Sequence, residues 1–135
     1  MGLLNLFKKS DEGSDSSLPY MVRTELVPYK LYSNSKSSTM LTVTLKNIAG
    51  EELLSSISVA VPKQLSLDET GISKQKEVKL GPIAPNQELN AKFTIYGDVG
   101  TEKGNYTISI TAFVNHNDYS YVINSLTKKQ IVQVV

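Results

Sequence analysis

Apolar and polar residues alternate with a period of two along most of the chain. The clearest runs are Leu89, Ala91, Phe93 and Ile95 against Asn90, Lys92, Thr94 and Tyr96, then Tyr106, Ile108, Ile110, Ala112 and Val114 against Thr107, Ser109, Thr111 and Phe113. Successive side chains on a strand point to opposite faces, so each run has one face to bury and one to leave wet. Leu41, Val43 and Leu45 repeat the pattern against Thr42, Thr44 and Lys46. Leu53, Ser55, Ile57, Val59 and Val61 share a face in the next run, which Pro62 stops.

Turn clusters separate these runs. Tyr20 to Tyr32 reads as a first strand broken by Pro28. Proline cannot donate to a ladder, so this is expected to be an edge strand, with a switch of sheet at the break. Ser33–Ser38 reads as a polar loop and Asn47–Glu52 as a turn. Residues 63–76 form a long polar connection whose Leu65/Leu67 pair suits a small edge strand. Val78 and Leu80 mark a short strand, and Gly81–Gln87, with Pro82 and Pro85, connects onward. Gly97–Gly104 is the next loop, and Asn115–Asp118 reads as a hairpin turn. The last strand opens with Tyr119, Tyr121 and Ile123 and closes with Ile131, Val132, Val134 and Val135. Short strands with turn signals and no helical period predict an all-β, two-sheet antiparallel sandwich of seven to eight strands. Shared parity assigns Leu41, Val43, Leu45, Ile57, Val59, Phe93, Ile95, Tyr106, Ile108 and Ile110 to its core.

The first eighteen residues depart from this pattern. Leu3, Leu4, Leu6 and Phe7 form an apolar tip, followed by Lys8 and Lys9. Leu3, Leu6 and Phe7 would share one face of a short helix, with Leu4 at its edge. Residues 10–17 contain no apolar side chain and read as a flexible, acidic, serine-rich linker. The expected organisation is a flexible tail over 1–18 and a sandwich over 19–135.

Composition removes several classes of function. With 14 basic and 13 acidic residues, the net charge of +1 leaves no basic footprint for nucleic acid. There is no cysteine, hence no disulfide and no thiolate chemistry. The absence of tryptophan weakens any sugar-stacking platform. The apolar clusters are a few residues long, against the ~20 needed to span a bilayer. Met1–Phe7 is too short for a secretory signal and has its lysines on the wrong side, so the expected location is cytoplasmic, with peripheral membrane contact through the tip. Leu6 stands where myristoylation wants Ser or Thr.

No catalytic, metal or cofactor constellation emerges. His116 is the only histidine, which excludes a multi-histidine metal site, and the sequence fixes no catalytic partner for it. Asn115, Asn117 and Asp118 offer oxygens, but their spacing matches no calcium loop and a hairpin explains them. Glu51-Glu52 and Asp68-Glu69 read as solvated charges. Gly97, Gly100 and Gly104 precede no helix that could present its N-terminus to a phosphate. Tyr119 and Tyr121 share a strand face, which suits packing better than a binding stripe. Tyr106 opens a late strand and fits a tyrosine corner, a structural hydrogen bond to backbone a few residues upstream.

Three stretches carry a resemblance. Leu41-Thr-Val-Thr-Leu-Lys-Asn47 with Gly50 and Ile57–Pro62, then Leu80–Asn86, then Leu89–Ile95 with Gly104–Ala112, together resemble NEW3-type and CARDB-type immunoglobulin-like accessory domains. The Gly-Trp pair usual after the third-strand proline is Lys63-Gln64 here, and the usual glycine before Leu89 is Asn86. The resemblance implies a non-catalytic accessory or adhesion module. The reading that follows is a non-enzymatic module that binds another protein, with Leu3, Leu4, Leu6, Phe7, Lys8 and Lys9 as a partner- or membrane-docking tip. The alternatives are an accessory module of a cell-surface or carbohydrate-active system, and an enzyme.

Overall fold

The computed structural model describes residues 19–116 and 118–135, without the side chains of His116, Ser120 and Tyr121. Eight strands follow in order: β1 Tyr20–Val27, β2 Lys30–Leu31, β3 Ser37–Asn47, β4 Leu53–Ala60, β5 Gln75–Ile83, β6 Glu88–Gly97, β7 Gly104–His116 and β8 Asp118–Val134. They form a three-stranded sheet, β1-β3-β6, facing a five-stranded sheet, β2-β8-β7-β4-β5. This is an immunoglobulin-like sandwich, and its topology sets β7 in the place of strand F. All pairs are antiparallel except β2 with β8, which is parallel.

The proline break acts as expected from its chemistry. β1 and β2 flank Pro28 and lie at the edges of opposite sheets, so one stretch of chain closes one side of the sandwich. Side chains finish that closure: Thr24 Oγ1 donates to Gln130 Oε1 at 2.8 Å, and Lys128 Nζ donates to the Val22 carbonyl at 3.2 Å.

The core is what the alternation predicts, with one correction. Leu41, Val43, Leu45, Ile57, Val59, Phe93, Ile95, Ile108 and Ile110 are all buried, whereas Tyr106 is only partly buried and packs against the margin of the core. Its position at the first turn of β7 leaves its ring at the mouth of the sandwich. Leu65 and Leu67 are also buried, yet they form no strand. They plug the core from an irregular loop that touches β6 through a single bridge, Ser66 with Tyr96.

Two buried polar groups tie the sheets together. Tyr20 reaches from β1 across the core to the hydroxyl of Ser55, and it donates to the Phe113 carbonyl at 3.1 Å. Asn47, fully buried at the end of β3, donates to the carbonyls of Glu51 at 2.8 Å and Ile83 at 2.7 Å. Its Oδ1 accepts the Ala49 N–H at 2.8 Å, so one amide satisfies a turn and a strand end that would otherwise hold orphan carbonyls.

Two boundaries differ from expectation. β5 runs through Gly81 and Pro82 to Ile83; as an edge strand it tolerates the proline, and Gly81 takes a φ of 83° beside a register shift in β4. The β7–β8 ladder continues to His116 opposite Asp118, so the turn is tighter than Asn115–Asp118. Asn115 is buried within β7, its amide donating at 3.3 Å to the Leu54 carbonyl and to Ser56 Oγ.

Candidate functional site

The sandwich has two unlike ends. At one, Val27, Ser37, Ala60, Gln75, Gly97, Gly104 and Val134 end or begin strands, so residues 28–36, which include the two-residue β2, gather there with the loops 61–74 and 98–103. Loops held on a rigid sandwich are where such folds place recognition.

One residue fastens all three loops. Thr101 is buried; its carbonyl accepts the Asn34 N–H at 2.9 Å and its hydroxyl donates to the Gln64 carbonyl at 2.8 Å. The same hydroxyl accepts the Asp98 N–H at 3.0 Å, which closes a turn over residues 98–101. Each loop is then stiffened locally. In 61–74, the Asp68 carboxylate accepts Thr70 Oγ1 at 2.7 Å and the N–H groups of Ile72 and Ser73 at 3.1 and 3.2 Å. The Thr70 hydroxyl, with those amides, holds the Asp68 carboxyl below its ordinary range. Lys74 Nζ stitches the far side of this loop by donating to the Lys63 and Leu65 carbonyls. In 28–36, Thr39 donates to the Pro28 carbonyl, Ser37 Oγ accepts the Tyr32 N–H at 3.1 Å, and Asn34 adopts a φ of 55°.

These fastened loops, with the end of β1, lift apolar side chains into solvent. Val27, Tyr29, Tyr32, Ile72 and Val99 are between 54 and 78% exposed. Lys30 Nζ lies 5.5 Å from the Tyr29 ring centroid, a cation–π contact. Between the loops lies a cleft of about 260 Å³ lined by Lys36, Ser66, Glu69, Tyr96 and Asp98 among others. Tyrosine, serine and asparagine on stiff loops give large contact area with adaptable hydrogen bonding at low entropic cost.

No protein-family model matches the chain, and no curated protein sequence matches it. Its backbone is similar to solved structures. The native conformation of the Escherichia coli alpha-2-macroglobulin aligns with a TM-score of 0.61 at 14% identity, over 87% of this chain and 7% of that one. A FixG-related protein from Vibrio parahaemolyticus aligns with a TM-score of 0.54 at 11% identity, over 86% of this chain and 96% of that one. A Salmonella alpha-2-macroglobulin mutant gives 0.54 at 18% identity. The likeness shows the fold alone, an immunoglobulin-like sandwich. This chain spans a small fraction of the macroglobulins and nearly the whole of the FixG-related protein.

The residues singled out by sequence fall as follows. Leu3, Leu4, Leu6, Phe7, Lys8 and Lys9 lie outside the described residues. Tyr106 Oη donates to the Glu102 carbonyl at 2.7 Å, a bond across the turn into β7 of the kind a tyrosine corner makes. Asn115 is committed to β4, and the Asn117 beside it is outside the described residues. Glu51 and Glu52 are exposed, and Asp68 serves its own loop. Tyr119 is half-buried, with Lys79 Nζ 5.1 Å from its ring centroid. Phe113, on the outward face of β7, is half-buried as well. Among the described residues no three His, Cys, Asp or Glu side chains come together, and no helix is long and apolar enough to cross a membrane. The loop end escaped sequence reading because its exposed residues come from three separated stretches. The cue was Tyr29-Lys-Leu-Tyr32 running into Ser33-Asn-Ser35, read as a strand and a polar loop.

Proposed function

We propose that this chain is a non-enzymatic module that binds another protein, and that the loop end is its binding surface. The observation that carries this is the set of four exposed apolar side chains, Tyr29, Tyr32, Ile72 and Val99, on loops fastened through Thr101, with Val27 beside them at the end of β1. Free, disordered loops would lose much of any binding energy to ordering, whereas these are already held. A single histidine and the absence of cysteine support a non-catalytic role. The loose NEW3- and CARDB-type motifs point to the same class of accessory module. The tip at residues 3–9 supplies a second, tethered contact, suited to an anionic membrane surface or a groove on the partner.

The test has two stages. Partners are cross-linked in the source cells, identified, purified and titrated by calorimetry against the wild-type chain. Tyr32→Ser with Val99→Ser should then weaken binding at least ~10-fold, the scale of losing an aromatic anchor, without changing the melting temperature. Unchanged affinity would move the binding surface elsewhere. Vesicles of anionic lipid tested with Leu4→Asp/Phe7→Asp address the tip separately. Salt weakens a lysine-led membrane contact and spares an apolar groove.

A further inference from the structure

The end opposite the loops holds a second opening, and the chain's own tail begins beside it. A cleft of about 440 Å³ is lined by Glu51, Glu52, Leu54, Pro82, Val114 and Ile123 among others. That volume falls within the roughly 300–1,000 Å³ typical of ligand-sized clefts, large enough for a few side chains. Ile123, in the interior of β8, lines the cleft and is 58% exposed. Glu51 and Glu52 are both exposed, and neither makes an ion pair among the described residues, where the one salt bridge joins Arg23 and Glu88.

We propose that the tip, residues 3–9, seats in this cleft of its own sandwich, with Leu4, Leu6 and Phe7 against Ile123 and Leu54 and with Lys8 and Lys9 facing Glu51 and Glu52. Three observations converge. The first is position: Ile48 N–H donates to the Pro19 carbonyl at 2.8 Å, and the neighbouring Asn47 donates to the Glu51 carbonyl at 2.8 Å, so the start of the described chain and the acidic rim are one hydrogen-bonded residue apart. The second is length: residues 10–18 can extend to roughly 30 Å, and a short tether holds the tip at an effective concentration of about millimolar. The third is chemistry: an apolar cluster followed by two lysines meets a mixed cleft in which Leu54 and Ile123 stand beside two glutamates. The contact is a latch. Its apolar area is modest and its charges are exposed, so a vesicle or partner groove that takes the same side chains displaces it. The latch rests on the tip's chemistry and not on the loop end.

The chain contains no tryptophan, so Phe7→Trp in the full-length protein places a unique fluorophore in the tip. In dilute solution, without vesicles or partner, its emission should be blue-shifted and shielded from acrylamide. Adding Ile123→Asp should return both readings to those of a water-exposed indole, and Glu51→Lys/Glu52→Lys should do so in part. These surface changes should leave the β-sheet circular dichroism and melting temperature as they were, which separates loss of the latch from loss of the fold. Emission of a fully exposed indole in the parent, or shielding that Ile123→Asp leaves intact, would overturn the proposal. Shielding that grows with protein concentration would also overturn it, because the occupant would then be a second copy. Binding to a partner through the loops is unaffected by any of these results.

Discussion

Phe93 shows how much one parity assignment carries. It lies opposite Leu41 on β3 and is 2% exposed. Removing the ring leaves a cavity in a close-packed interior, so Phe93→Ala should cost ~3–5 kcal/mol in urea unfolding. A loss below about 1 kcal/mol would place the residue at the surface. Tyr20 is a different kind of residue, a polar group spent on the core. Burial pushes its hydroxyl up to about 12, and the bond to Ser55 opposes that only in part. A raised phenol favours the protonated form in the fold. Its contribution is therefore whole below about pH 10 and lost as pH rises towards 12. Between about pH 9 and pH 11.5 the wild type should lose about 2 kcal/mol more than Tyr20→Phe, read as the difference in denaturant midpoints. Sequence assigned Phe93 correctly because alternation is a local signal. It also placed Tyr20 at the start of the first strand, but not its span to Ser55 and Phe113, which depends on chain 35 and 93 residues away.

At the scale of elements, the strands were legible and their ends were not. Strand cores such as those of β3 and β6 follow from period-two burial, which the pleat decides, whereas β4, between β5 and β7, buries Ser55 through Val59 in succession. The ends are set by neighbours. β5 could absorb Gly81 and Pro82 because the sheet leaves one of its edges unpaired, and Asn115 became part of β7 because β4 offered its amide two acceptors. Asn86 illustrates the reverse, a turn whose chemistry is local. It takes a φ of 66°, where glycine is usual and asparagine is the best-tolerated alternative. The loops of the candidate site are elements too, and Thr101 is their shared fastener. Thr101→Val keeps the volume and removes the hydroxyl, leaving the Gln64 carbonyl and the Asp98 N–H without their partner. The expected cost is ~1–3 kcal/mol, with faster amide hydrogen exchange confined to residues 62–66 and 98–103. Exchange that rises evenly over the sandwich would deny Thr101 that special role.

The whole molecule is held by apolar burial and backbone pairing far more than by charge. The net charge is +1, and the single ion pair among the described residues, Arg23 with Glu88 at 3.7 Å, is exposed at both partners. Exposed pairs contribute little. The melting temperature should accordingly move by no more than a degree or two between low salt and about 0.5 M sodium chloride. A larger shift would reveal electrostatic coupling between the sandwich and the tail, with its two lysines and acidic linker.

Fold class, strand cores, most of the buried set and the sheet switch at Pro28 were determined by the sequence alone. Each depends on a repeat or a stereochemical restriction confined to a few neighbouring residues. Tertiary structure decided which strands share a sheet, that β2 joins β8 in parallel, and that Tyr106 sits at the rim of the core. It also decided the candidate site. Tyr29, Tyr32, Ile72 and Val99 are unremarkable where they stand in the chain. They become one end of a molecule only when three loops up to 70 residues apart close around the hydroxyl and carbonyl of Thr101, because exposure and proximity belong to the packed arrangement and have no period along the chain.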